Sequence, residues 1–235
     1  MYIRRAKERG SVDMGWLQSK HSFSFGHYYD EQHMGFSVLR VINDDIVSPG
    51  RGFGTHGHRD MEIISYVISG SLKHKDSTGN DYEIPAGDIQ RMSAGKGILH
   101  SEFNPSEDEP VNFLQIWIIP DKTGITPEYE QKTITGNGEL TPLVSPDGRS
   151  NTLRIHQDAY LYRVSLAKDN CLPLKSHDRF GYLHVVRGSL SLTGSGTDLV
   201  LGAGDAIGVE QATSLDLTAT EDTEAIWFDL PVVNA

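Results

Sequence analysis

The chain contains a single cysteine, Cys171, among 235 residues. No intramolecular disulfide can form, and a closed zinc site built on several thiolates is excluded. Cys171 itself is expected to be a small buried apolar residue. No apolar run approaches the roughly 20 residues that a membrane-crossing helix requires. The basic opening from Met1 to Arg9 leads into no apolar segment, so no secretory leader is predicted and the expected compartment is the cytoplasm. Positive charge is scarce as well, with 21 Lys and Arg against 32 Asp and Glu, a formal net charge of −11. Binding to a phosphate backbone rests on clustered cations, so direct nucleic-acid binding is not expected. Long stretches of helical periodicity are missing too.

What is present is the rhythm of an all-β protein. Strand-like runs recur at Phe36 to Ile42, Glu62 to Ile68, Phe113 to Ile119, Tyr160 to Leu166, Leu183 to Leu192 and Ala225 to Leu230. Turn signals separate them, among them Ser69-Gly70, Thr78-Gly79-Asn80, Asn137-Gly138 and Pro146-Asp147-Gly148. The chain also repeats itself. Tyr66-Val67-Ile68-Ser69-Gly70-Ser71-Leu72 parallels His184-Val185-Val186-Arg187-Gly188-Ser189-Leu190, and each copy then reaches Ala-Gly-Asp, at 86–88 and at 203–205. Two tandem β domains follow from this duplication. The expected boundaries are 1–127 for the first domain, 128–150 for a polar, proline- and glycine-containing connection, and 151–235 for the second.

Two segments carry candidate chemistry: Gly54-Thr55-His56-Gly57-His58 and Gly97-Ile98-Leu99-His100-Ser101-Glu102. Residues two apart on a strand share a face, so His56 pairs with His58 and His100 with Glu102. Neighbouring strands would converge three imidazoles and one carboxylate, a set too rich in nitrogen for calcium or magnesium and suited to a divalent transition metal. The competing reading leaves the His-x-His pair on a solvated strand. Offsets taken from the repeat place Leu174 and Ser176 at the positions of His56 and His58, and Leu217 and Ala219 at those of His100 and Glu102, so one metal per chain is expected. His177 and His184 miss the required positions and are expected as surface or core residues.

Gly50, His56-x-His58, Glu62 and Gly70 together resemble the first motif of the cupin superfamily, with one extra residue before the final glycine. Gly87 through Asn104 resembles the second, although Ser93-Ala94-Gly95-Lys96-Gly97 stands where a proline is usual. With His21-Ser22-Phe23-Ser24-Phe25, Tyr28-Tyr29-Asp30, the run from Leu39 to Asp45 and Gln115-Ile116-Trp117, these segments resemble the pirin family through about Pro127. Over the second half Ile155-His156-Gln157-Asp158 and the repeat carry the likeness more weakly. The resemblance implies a bicupin, two β-barrel or jelly-roll domains, with the metal on His56, His58, His100 and Glu102 of the first. Glu62, a ligand in many cupins, is expected instead as a hydrogen-bonding neighbour or a surface carboxylate.

Family members resemble quercetin 2,3-dioxygenases in some bacteria and metal-dependent transcriptional co-regulators in animals. The resemblance therefore implies either a dioxygenase opening the central ring of a flavonol such as quercetin with dioxygen and releasing carbon monoxide, with Glu102 as catalytic base, or a regulator that binds a protein partner. A different metal-dependent small-molecule enzyme, such as an isomerase, is a third reading. Iron(II) is the expected ion, with manganese, nickel, copper, cobalt and zinc compatible with the donors. Phe25, Phe53 and Phe103 are candidates for a flat apolar slot, against the alternative of ordinary core packing, and Trp117 is expected in the core. His21, His27 and His33 receive no metal role. A monomer is expected.

Overall fold

A computed structural model describes residues 1–194 and 196–233. Almost every regular element is a strand, and the described helical turns are two short 3-10 segments, Ala6–Glu8 and Arg149–Asn151. No described helix is long and apolar enough to cross a membrane. The chain divides into two units: residues 10–134 with 146–157, and residues 1–9 with 135–145 and the chain from Asp158 onward.

The first unit pairs a four-stranded sheet with a seven-stranded one. The smaller sheet runs Gly52–His58, Ile98–Phe103, Ser71–Asp76, Asp81–Pro85 in spatial order. The larger runs Glu128–Thr133, Asp88–Ser93, Glu62–Ser69, Val111–Ile118, Leu39–Val47, Leu17–His21, Gly10–Asp13. Leu72 and Ile84 of the small sheet pack against Leu17, Val47, Val67, Val111 and Phe113 of the large one, so the core lies between the inner faces. A second cluster of Ile63, Met92, Ala94 and Ile98 closes the same interior elsewhere. Each such branched aliphatic, phenylalanine or methionine side chain, fully buried, contributes about 1.5–3 kcal/mol. A polar row separates apolar neighbours: Asn43 is in register with Gln115, Gln115 with Ser65, and Ser65 with Gln90, all four buried.

The expected connection 128–150 holds two strands. Glu128–Thr133 pairs antiparallel with Asp88–Ser93 as the outer strand of the large sheet. Its sequence, Glu-Tyr-Glu-Gln-Lys-Thr, looks like a linker because an edge strand facing water has the same polar composition. Leu140–Ser145 pairs with Tyr160–Leu166 in the second unit. The run expected from Leu183 to Leu192 is two strands, Phe180–Arg187 and Ser189–Gly194. They part at Gly188, where φ is +81° and a Cβ would sit 2.4 Å from the carbonyl oxygen of Asp222.

The second unit repeats the first. Its small sheet runs Cys171–Lys175, Ser214–Ala219, Ser189–Gly194, Thr197–Gly202, and Tyr2–Arg4 forms an outer strand on Ala206–Val209, as Glu128–Thr133 does on Asp88–Ser93. Strand register corrects one expected equivalence. His100 faces His56 and Glu102 faces His74 in the first unit, whereas Leu215 faces Leu174 and Leu217 faces Leu192 in the second. His74 and Leu192 stand four residues after the matching glycines Gly70 and Gly188, so Leu215 and Leu217 occupy the positions of His100 and Glu102. The loop before this strand is two residues shorter in the second copy, which the offset from the Ala-Gly-Asp turns does not register. Leu174, Leu215 and Leu217 are buried in one apolar cluster where the first unit has polar side chains. Cys171, expected to be buried, is exposed at the start of its strand.

Candidate metal centre

His56 and His58 lie on Gly52–His58, and His100 lies opposite His56 on Ile98–Phe103. The register shifts between His100 and Glu102, which pairs with Phe53, so the first strand bulges around Gly54 and Thr55. That bulge brings the carbonyl oxygen of Gly54 2.8 Å from His56 Nδ1. A carbonyl can only accept, so the neutral His56 ring carries its proton on Nδ1 and leaves Nε2 as a bare lone pair. Nε2 of His56 lies 3.1 Å from Nε2 of His100. The His58 ring meets both neighbours at 4.8 Å between centroids, and one nitrogen from each of the three rings lies within 4.8 Å of the other two.

Burial, reinforced by the neighbouring His56, pushes His58 down to about 4. Burial first, and then His56, His58 and His74, pushes His100 far below the usual histidine range. Both rings are therefore neutral near pH 7, the form that donates a lone pair to a cation. Crowded neutral imidazoles with a bare nitrogen aimed inward fit a divalent transition metal and suit no alkaline-earth ion.

Glu102 is buried and belongs to a second group, with His74 and His100, rather than to the His56–His58–His100 group. Its Oε2 accepts from Gln115 Nε2 at 2.7 Å, and its Oε1 accepts from Ser65 Oγ at 3.2 Å and Gln90 Nε2 at 3.3 Å. Burial pushes this carboxyl up to about 7, aided by the nearby charge of Asp45 and opposed by its hydrogen bonds. The structure thus gathers the three histidines in one cluster and joins Glu102 to it through His100.

Glu62 lies in neither group. It is buried, and its Oε2 accepts from Ser93 Oγ at 2.9 Å and from the backbone N–H of His156 at 3.4 Å, so it braces the strand that precedes the motif-two loop. Trp117, expected in the core, packs against the apolar cluster while its ring meets His58 edge-on at 5.0 Å. Phe25 meets Trp117 edge-on at 5.2 Å and His21 at 5.3 Å, forming an aromatic wall behind His58. Phe53 packs on Trp16 and the first core cluster, and Phe103 is exposed, so neither extends that wall. His27 is exposed, and His33 sits 3.9 Å from Asp30.

His74 was not singled out by sequence reasoning. The available signal was the alternation Leu72-x-His74-x-Asp76, which turns all three inward on Ser71–Asp76. Gln90 and Ser65, the donors to Glu102, were equally silent because buried polar residues of this size carry no spacing signature.

Two β domains of this topology, one with converging histidines and one filled with leucine, define a bicupin with one candidate metal centre. The pirin family model matches residues 2–118, and the model described as the quercetinase C-terminal cupin domain matches residues 142–230. The chain belongs to the pirin family. It is 47% identical to a quercetin 2,3-dioxygenase of Escherichia coli O157:H7, covering 99% of this chain and all of that one. The corresponding enzyme of Escherichia coli K12 is 44% identical over the same shares. Among solved structures, the bacterial pirin YhhW from Escherichia coli in complex with nickel(II) superposes with a TM-score of 0.93 at 45% identity, covering 99% of each chain.

Proposed function

We propose that this chain is a metal-dependent dioxygenase that opens the central ring of a flavonol such as quercetin with dioxygen and releases carbon monoxide. The observation that carries the reading is the meeting of His56, His58 and His100 around inward-facing nitrogens, beside a buried carboxyl at Glu102. In this account His56, His58, His100 and Glu102 hold one divalent ion, with iron(II) as the working metal. The full-length likeness to proteins named quercetin 2,3-dioxygenase supports the substrate class and the co-substrate.

A divalent ion with open positions supplies Lewis acidity toward the adjacent hydroxyl and carbonyl oxygens of a flavonol. The protein does the rest. Glu102 takes the proton of the 3-hydroxyl onto a carboxyl oxygen. Gln115, Ser65 and Gln90 fix the carboxyl plane so that the proton arrives at a defined place. The Trp117 and Phe25 rings present an apolar edge beside His58 for a flat ligand and exclude water there. The second unit has leucines at three of the four matching positions and Ser176 at the fourth, and takes no part in the chemistry.

The test is quercetin loss by iron(II)-loaded protein, followed spectrophotometrically with an oxygen electrode in parallel. The reading expects consumption of dioxygen and quercetin in a one-to-one ratio and no loss of quercetin in an oxygen-free vessel. Turnover without oxygen would assign the site to an isomerase or another metal-dependent small-molecule enzyme.

A further inference from the structure

Behind His100 stands a chain of buried polar side chains that the proposed reaction does not use. The carboxylate of Asp76 is held by its own turn. Its Oδ1 accepts from the backbone N–H of Thr78 at 2.9 Å, from Thr78 Oγ1 at 2.7 Å and from the backbone N–H of Asn80 at 3.2 Å. Its Oδ2 accepts from Asn80 Nδ2 at 2.9 Å and stands 2.9 Å from Nε2 of His74. Neither the Asp76 nor the His74 side chain is reached by solvent. Nδ1 of His74 in turn faces Nδ1 of His100 at 3.5 Å, and the phenol ring of Tyr129 covers the other side of His74 with 4.7 Å between centroids.

The proton count fixes what this chain can do. A carboxylate only accepts, so the neutral His74 ring spends its one proton at Nε2 on Asp76 and turns a lone pair at Nδ1 toward His100. A neutral His100 ring has one proton and two berths for it. On Nε2 the proton points at the bare Nε2 of His56, 3.1 Å away, and occupies the direction a cation needs. On Nδ1 it meets the lone pair of His74, and Nε2 is cleared. Without an acceptor at the second berth, metal binding would bury an unsatisfied N–H.

We propose that Asp76, acting through His74, is a positioning pair that draws the His100 proton onto Nδ1 and so presents its Nε2 lone pair to the metal. The inference rests on the reading of His100 as a ligand and needs no flavonol chemistry. Partners of this kind commonly set metal affinity by 10- to 100-fold.

Zinc(II) is the probe, because it is diamagnetic and its binding is read without substrate. Affinity is measured by chelator competition, and the ring protons of zinc-loaded, 15N-labelled protein are followed by NMR. In the wild type the His100 Nδ1–H resonance is expected far downfield, protected from exchange and coupled across the hydrogen bond to His74 Nδ1. His74→Phe keeps a ring but no acceptor, and it is expected to bind zinc about 10- to 100-fold more weakly, with that resonance lost. His74→Asn places an amide oxygen where Nδ1 stood and is expected to restore much of the affinity.

Asp76→Asn gives a second approach should the His74 variants fold poorly. Three donors from Thr78 and Asn80 hold the amide oxygen on the Oδ1 side, so the amide nitrogen faces His74 Nε2 and reverses its tautomer. Zinc affinity is then expected to fall although no side chain has been shortened. Zinc binding as tight as wild type in both His74→Phe and Asp76→Asn would overturn the proposal, as would a protonated His74 Nδ1 in the loaded wild type. Tight zinc binding with the expected His100 signal, in a protein that never consumes quercetin, would uphold the positioning pair while the dioxygenase reading fell.

Discussion

Nε2 of His56 and Nε2 of His100 lie 3.1 Å apart, each on its own strand of the small sheet, and the first is bare because Nδ1–H of His56 donates to the Gly54 carbonyl. This relationship predicts that His100→Ala abolishes tight metal binding. The apolar clusters are built from other residues, so the metal-free variant is expected to lose no more than about 1–2 kcal/mol of stability. Metal content by elemental analysis and urea unfolding by circular dichroism check the two halves. The wild type is expected to hold one metal per chain, because Leu174, Leu215, Leu217 and Ser176 stand at the matching positions of the second unit.

Glu102→Gln keeps the shape while removing the base, and it sets an amide nitrogen against a donor where one carboxylate oxygen accepted. Metal content is expected to persist in part, and quercetin turnover per bound metal to fall by about 10²- to 10⁴-fold. Steady-state rates normalised to measured metal decide this. Full activity on that basis would remove Glu102 from the proton transfer.

Asp45 gives a prediction about pH. Burial, helped by the charge of Asp44 and opposed by Ser19, pushes its carboxyl up to about 7 from an ordinary value of 3.8. The folded protein thus holds a proton that the unfolded chain releases, so stability falls as pH rises between these values and stays low above them. Asp45→Asn removes that loss. In metal-free protein the variant is expected to gain on the order of 1–3 kcal/mol over wild type at pH 8 and much less at pH 4. Urea midpoints at the two pH values measure it, and an equal difference at both would contradict it. Glu102, also raised to about 7, leaves a shallower decline of the same sign in the variant.

Gly95 belongs to the segment that departs from the usual cupin motif. Its φ is +45°, and a Cβ there would lie 2.1 Å from the carbonyl oxygen of Ile125. The same loop is pinned by Lys96 N–H donating to Ile125 and by Asp60 N–H donating to Gly95, just before the strand that carries His100. Gly95→Ala is expected to cost about 1–3 kcal/mol and to weaken metal binding together with it. Thermal melts with and without added metal report both effects.

The strand alternation of His56, His58, His100 and Glu102 was legible because a period of two and the residue chemistry pointed the same way. The duplication was legible in Gly70 and Gly188 and in the two Ala-Gly-Asp turns. Strand Glu128–Thr133 was not, since an edge strand with one face in water has the composition of a linker. The two-residue shift that puts Leu215 where His100 stands was hidden as well, because loop length between paired strands leaves no trace in the flanking motifs. His74 and Asp76 escaped notice for another reason: their role exists only through a neighbour on a different strand, and the pairing that joins Glu102 to His74 is not encoded in local spacing.

Carbon monoxide released per quercetin consumed, with iron(II)-loaded wild type and His100→Ala compared in air, tests the central claim most directly. The account predicts close to one carbon monoxide per quercetin for the wild type and none for the variant. Quercetin loss without carbon monoxide, or equal release by both proteins, would contradict it.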